Sequence, residues 1–335
     1  MHSNLKILVA ESTGFPTEAK AALSRLGEVT LADLDFAQLW KVIPDFDAIW
    51  IRLRHRIDAK LLARATRLKT IISPTTGLNH VDVEEAARRG IAVLSLRGET
   101  EFLKNVHATA EHTIALMLAL MRNIPAATES VRRGVWDRDQ FKGRELSGKT
   151  VGIIGYGRLG QIVANYLEAF GVRILASDPR FENGTTVKNA QFVPLYQLLT
   201  QADIVTLHVN FIEENRGFFG WDDFRDMKRG AWFVNTSRGE LVEEDALLRA
   251  LEVGRLSGAA VDVLADEQGG DPVASALVQY AKRHDNLLIT PHIGGCTFES
   301  LAKTETFLAG KVVAALSPSS PHKAHAASQP ALTQS

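Results

Sequence analysis

The chain has 335 residues, 45% of them apolar, with 38 Lys and Arg against 39 Asp and Glu, a formal net charge of −1, and a single cysteine. That length suits two domains. The balanced charge argues against nucleic acid or a membrane surface as a partner, and one cysteine excludes an intrachain disulfide or a cysteine-built metal cluster, so no metal is expected. No apolar run reaches the ~18 residues of a membrane span, and Met1–Lys6 lacks the apolar core of a signal peptide, which makes a cytoplasmic location the expectation.

In chain order, short apolar strands are predicted at 5–9, 48–51, 69–72 and 91–94. Between them, Ala19, Ala22, Leu23 and Leu26 recur at helical spacing and stop at Gly27. Asp82-Val83-Glu84-Glu85 reads as the start of a short helix that Gly90 ends. The run 108–122 is apolar on almost every face after His112, which predicts a helix buried between domains or between subunits.

A second block opens at Val151-Gly152-Ile153-Ile154-Gly155-Tyr156-Gly157-Arg158-Leu159-Gly160, a buried strand running into a Gly-x-Gly-x-x-Gly turn. Gly155 permits the tight turn, Gly157 lets backbone approach a pyrophosphate, and Gly160 lets the following helix pack close. That helix (Ile162, Val163, Tyr166, Leu167, Phe170) aims its free N–H groups at the phosphates. A second strand, 172–177, ends at Asp178, close to the spacing expected of the acid that binds an adenosine ribose. Further strands are predicted at 204–207, 232–235, 259–263 and 287–289, giving six in a doubly wound parallel sheet. A helix over 301–316 is predicted to cross back to the first block. The expected domains are therefore 1–105 with 296–317 (substrate-binding) and 106–295 (dinucleotide-binding), followed by a disordered Ser-, Pro- and Ala-rich tail, 318–335.

Three segments at the carboxyl ends of the later strands carry charge in apolar surroundings: 234–242 with Arg238, 260–267 with Asp262 and Glu267, and 289–295 with His292. Ligands of open α/β sheets bind at those ends. Arginine holds a carboxylate through a bidentate fork, histidine exchanges a proton near neutral pH, and a carboxylate fixes the imidazole's tautomer. With a nicotinamide to carry hydride, the three make a site for hydroxy-acid oxidation.

From about Leu5 to Leu316 the chain resembles the D-isomer-specific 2-hydroxyacid dehydrogenases of the phosphoglycerate-dehydrogenase-like branch. The resemblance is carried by 76–82 (TGLNHVD), 110–113 (AEHT), 134–136 (GVW), VGIIGYGRLG, NTSRGELV, AVDVLADE and TPHIGG. It implies two Rossmann-like or flavodoxin-like doubly wound α/β domains with the active-site cleft between them, NAD as cofactor, a small 2-hydroxy or 2-oxo acid as substrate, and a homodimer built through 115–121 and 136–141. It places Arg238, Glu267 and His292 on the family's catalytic positions. Gly155, Gly157, Arg158, Leu159, Gly160 and Asp178 fall on its dinucleotide turn. Thr76, Val209, Thr236, Asp262 and Gly295 fall on further cofactor contacts, Asp262 on the acid that orients the nicotinamide carboxamide. The backbone at Thr76, Gly77 and Leu78 and the Arg52 side chain fall on substrate-binding positions. Ser73 stands where phosphoglycerate-oxidising members carry an arginine, and Asn79-His80 where many have Asp-Asn. The alternative is an NAD(H)-sensing, corepressor-like binding protein on the same scaffold.

Overall fold

The computed structural model describes residues 4–267 and 270–317; the tail expected to be disordered lies outside them. The chain divides into two compact units, Met1–Phe102 with Thr297–Ser335, and Leu103–Cys296.

The first unit is a five-stranded parallel sheet of β1 (Leu5–Val9), β2 (Gly27–Leu31), β3 (Ala48–Trp50), β4 (Thr70–Ser73) and β5 (Ala92–Ser95), in the order β2-β1-β3-β4-β5. This is the 2-1-3-4-5 flavodoxin-like winding. Ile7, Leu8, Val9, Ile49, Trp50, Ile71 and Ile72 are all buried, as continuous apolar runs are when helices cover both faces of a parallel sheet. β2 was not expected. It is an edge strand, Gly-Glu-Val-Thr-Leu, with no fully buried residue; Val29 and Leu31 alternate with Glu28 and Thr30, but two apolar residues make no continuous apolar run. The helix Val83–Arg88 begins where predicted, with Asp82 accepting the Glu85 N–H at 2.9 Å, but the expected capping box is half made, since the Glu85 carboxylate pairs with Arg88 and Arg89. The helix Phe298–Leu316 packs on the helix Thr17–Leu23 through this unit's core and buries Leu308, Ala309 and Val312.

The second unit holds eight strands: β6 (Thr150–Ile154), β7 (Arg173–Ser177), β8 (Thr186–Val187), β9 (Ala190–Phe192), β10 (Ile204–Leu207), β11 (Ala231–Asn235), β12 (Leu256–Val261) and β13 (Leu287–Ile289). Their order is β13-β12-β11-β10-β6-β7-β9-β8, parallel except for the β8–β9 pair. Leaving aside the two-residue edge strand β8, this is the 3-2-1-4-5-6 Rossmann order with one strand added. Successive residues feed opposite faces, as the pleat requires: Ile154, Val205 and Phe233 join one apolar cluster, and Ile153, Ile204 and Val234 the other. β8 and β9 were not expected: β8 has two residues, and Gln191 at the centre of β9 breaks the apolar run that marks the equally short β13.

The helix Ala108–Met121 packs one apolar face on the sheet of its own unit. Ala110, Ile114, Met117 and Leu120 of that face lie with Val151, Ile153, Val234 and Ala260 in one apolar cluster. Among the described residues no helix is long and apolar enough to cross a membrane.

Candidate active site

The winding reverses between β6 and β10, which creates a crevice at their carboxyl ends. The glycine turn sits there. Gly155 has φ +88°, and a Cβ on it would lie 2.6 Å from the His208 carbonyl oxygen. A Cβ at Gly160 would lie 2.3 Å from the Gly155 oxygen, so that glycine sets how closely the helix Arg158–Glu168 approaches the turn. The first amides of a helix have no carbonyl partner within it, and no side chain caps this one. The cradle therefore fits a dinucleotide pyrophosphate.

Asp178 ends β7 and is buried, its carboxyl held below the usual range against the cost of burial by hydrogen bonds from Arg180 and from the Tyr156 N–H. Tyr156 N–H reaches Oδ2 at 2.8 Å; the Arg180 guanidinium reaches Oδ1 at 2.9 Å and Oδ2 at 2.6 Å. Arg158 is placed differently from a simple phosphate ligand. Its Nη1 donates to the carbonyls of Leu103 and Val106 at 3.1 and 3.2 Å, so the backbone of its helical turn is the part that faces the cradle. Leu159 packs partly into the core, and Val209 lies half-buried beside Gly155. The Thr236 hydroxyl is buried against that of Thr113 at 2.8 Å, and Gly295 is exposed near Thr109.

The three charged loops converge. His292 Nδ1 stands 2.5 Å from Glu267 Oε1, and the ionised carboxylate, being an acceptor, fixes the proton on Nδ1. Nε2 has no partner among the described residues, which leaves it for substrate. His292 adopts φ +53°, a left-handed conformation uncommon outside glycine, so its backbone is held by its surroundings. Arg238 is half-buried; burial lowers its guanidinium pKa, and Glu267 and Glu240 oppose the shift. It remains a cation at any working pH.

Residues 114–294 match the model of the D-isomer specific 2-hydroxyacid dehydrogenase, NAD binding domain. The chain is 35% identical over 312 residues to D-3-phosphoglycerate dehydrogenase of Mycobacterium tuberculosis, covering 92% of this chain and 56% of that protein. It thus spans little more than half the length of that relative. It is 34% identical over 285 residues to hydroxypyruvate reductase of Thermotoga maritima, covering 85% of this chain and 90% of the relative. Among solved structures, D-lactate dehydrogenase of Aquifex aeolicus complexed with NAD and lactic acid superposes with a TM-score of 0.77 at 26% identity, over 93% of this chain and 95% of that one.

The chain belongs to the D-isomer specific 2-hydroxyacid dehydrogenase family. Its second unit contains the family's NAD-binding domain. These relatives are named as dehydrogenases and a reductase, which does not favour the binding-protein alternative.

In this family member three residues brace the charged loops: Asn235 and Glu244, which sequence reasoning missed, and Asp262, which it expected at the cofactor. Asn235 accepts from Ser237 N–H and Oγ and donates to the Arg238 carbonyl, tying down the arginine's loop. Glu244 accepts the Ala265 N–H at 2.7 Å and so braces the loop of Glu267. Asp262 accepts from the amides of Ile293 and Gly294 and from the Thr290 hydroxyl. The polar pair His112-Thr113 inside an apolar helix was the one available signal for this shell.

In the first unit, Arg52 departs from the expected role. Its Nε and Nη2 bind the buried Glu305 carboxylate at 2.6 and 3.1 Å, and Nη1 donates to the Thr13 carbonyl at 2.8 Å. The guanidinium is thus spent on structure. Thr76 is exposed, with Gly77 and Leu78 half-buried in a turn that Thr75 Oγ1 anchors on the Gly77 carbonyl at 2.7 Å. Ser73, fully buried, bonds His80 and Thr75, both at 3.0 Å.

Proposed function

We propose that the protein is an NAD-dependent oxidoreductase that interconverts a D-2-hydroxy acid and its 2-oxo acid. The observation that carries the reading is the His292–Glu267 pair, 2.5 Å apart, with Arg238 on the neighbouring loop. Bound NAD supplies the hydride acceptor. In the oxidative direction the Arg238 guanidinium holds the substrate's carboxylate and hydroxyl oxygen, and His292 Nε2 takes the hydroxyl proton as the C–H bond yields its electron pair. Glu267 then faces an imidazolium through Nδ1–H and stabilises its charge. Reduction runs the same steps backward, with Nε2 giving the proton to the forming alkoxide. The amides of Thr76, Gly77 and Leu78 are assigned to the substrate carboxylate. Ser73 offers no cation for a phosphate, which favours short unphosphorylated 2-oxo acids.

The same proposal includes a homodimer and a cytoplasmic setting. The helix Ile124–Arg132 buries none of its residues, and Ile124, Val131, Val135 and Trp136 are exposed, Trp136 at 88%. An apolar surface of this kind fits a second copy. Light scattering tests it: the wild type should run as a dimer and Trp136→Glu as a monomer, whereas a monomeric wild type contradicts it. For the reaction, the test is NADH consumption with glyoxylate, hydroxypyruvate, 2-oxoglutarate and phosphohydroxypyruvate, which should show turnover with at least one unphosphorylated acid.

A further inference from the structure

The turn that carries His292 hangs on one residue. Asp262, just past β12, accepts His292 N–H on its backbone carbonyl at 2.8 Å. Its carboxylate takes Ile293 N–H at 2.9 Å and Thr290 Oγ1 at 2.6 Å on Oδ1, and Gly294 N–H at 2.7 Å on Oδ2. The approach is tight, since a Cβ at Gly294 would lie 2.8 Å from Oδ2 and 3.6 Å from the His112 ring. A buried carboxylate holding three donors fixes the left-handed His292 only if it is itself fixed.

His112, from the first turns of the helix Ala108–Met121, closes that network. Its Nε2 lies 3.0 Å from Thr290 Oγ1 and 3.2 Å from Asp262 Oδ1. The Thr290 hydroxyl gives its hydrogen to Asp262, so toward His112 it can only accept. Both neighbours of Nε2 are therefore acceptors, and Nε2 must carry the proton.

We propose that His112 is a positioning residue for His292: its Nε2–H, shared between Thr290 and Asp262, locks the 290–294 turn in the conformation that presents the His292 imidazole. The proposal rests on the reading of His292 as the proton carrier, but the lock itself is a property of the turn. A neutral donor at this place suffices, so glutamine, which sets an amide N–H at similar reach, replaces the histidine, whereas phenylalanine keeps the shape and removes the donor.

The test compares wild type, His112→Phe and His112→Gln by hydrogen–deuterium exchange of the 290–296 segment and by kcat with NADH and a 2-oxo acid. In His112→Phe, exchange of the Ile293 and Gly294 amides should quicken about tenfold, the scale of losing one hydrogen bond to a charged group. Its kcat should fall by a similar factor while the NADH Kd stays within about twofold, a mutational scale on which loss of positioning separates from loss of binding. His112→Gln should restore both. Unchanged exchange and kcat in His112→Phe, or a His112→Gln as impaired as His112→Phe, overturns the proposal. If no 2-oxo acid is turned over by the wild type, the functional reading fails and the exchange arm alone decides this one. Should His112→Phe not fold, Thr290→Val against Thr290→Ser poses the same question from the other end of the hydrogen bond.

Discussion

His292 and Glu267 stand 2.5 Å apart, Nδ1 to Oε1, although 25 residues and a helix separate them in the chain. Parallel winding brings them together: β12 and β13 are neighbours, and both residues lie beyond the carboxyl ends of those strands. Glu267→Gln keeps a hydrogen-bonding side chain and removes the charge that faces the imidazolium. We expect kcat to fall roughly 10- to 100-fold, within the range of general acid–base effects, with little change in NADH Kd. Steady-state kinetics with a fluorescence titration checks this, and an equal loss in both quantities would argue for damage to the cofactor site instead.

Gly239 carries a second prediction. It follows Arg238, and a Cβ there would lie 2.0 Å from the Leu264 carbonyl carbon and 2.3 Å from the Ala265 nitrogen. Those are backbone atoms of the segment that leads to Glu267, so they can yield only by moving it. Gly239→Ala should cost about 1–3 kcal/mol of stability, as overpacking does, and lower kcat at least as much as Glu267→Gln. Thermal melting and kinetics on one preparation check both effects.

The half-buried Arg52 pairs with Glu305, which has no exposed surface. Removing one partner of such a pair strands the other at a cost of about 3–5 kcal/mol. Burial already raises the Glu305 pKa against the opposing pull of Arg52. Without the arginine, the folded form should bind a proton more readily than the unfolded form, so Arg52→Ala should recover stability as pH falls. The double variant Arg52→Met with Glu305→Leu should restore most of the loss at pH 7.5. Its KM for the 2-oxo acid should match wild type, whereas a large rise in KM would return Arg52 to the substrate.

His208 gives the pH dependence of the second unit. It is buried at the end of β10, with Nε2 on Thr206 at 3.1 Å and no partner for Nδ1 among the described residues, and burial lowers its pKa to about 3. The unfolded chain, titrating near 6.5, binds a proton that the folded chain refuses between those values. Its contribution is complete above pH 6.5 and is lost as pH falls toward 3. Between pH 7.5 and 5.0 the loss is about 2 kcal/mol by linkage. His208→Gln should remove that part of the acid sensitivity, read as a smaller shift in the urea midpoint over the same interval.

The strands with continuous apolar runs were legible in the sequence because parallel sheets covered on both faces leave that trace, as in β1, β6, β10 and β11. β2 and β9 were not, since polar residues (Glu28 and Thr30; Gln191) interrupt their apolar ones and no such run forms. The meeting of Glu267 with His292 was legible because their segments, like that of Arg238, stand at strand carboxyl ends behind a dinucleotide turn, a combination that no one of the three residues carries alone. The roles of Asn235, Glu244 and Asp262 toward those loops were not, because polar side chains that bond loop groups, whether two residues on (Asn235) or 21 to 32 residues on (Glu244, Asp262), follow no periodic spacing. The fate of Arg52 was hidden for the same reason, its partner lying 253 residues on.

The central claim is that His292 moves the proton in an NAD-linked interconversion of a 2-hydroxy acid and a 2-oxo acid. The most direct measurement is NADH oxidation by wild type and His292→Ala with hydroxypyruvate and glyoxylate, alongside the NADH Kd of each. The account predicts wild-type turnover, a kcat lower by roughly 10²–10⁴-fold in His292→Ala, and a Kd that stays within about twofold because that side chain serves the proton and not the dinucleotide. A His292→Ala enzyme with near-wild-type kcat would contradict it.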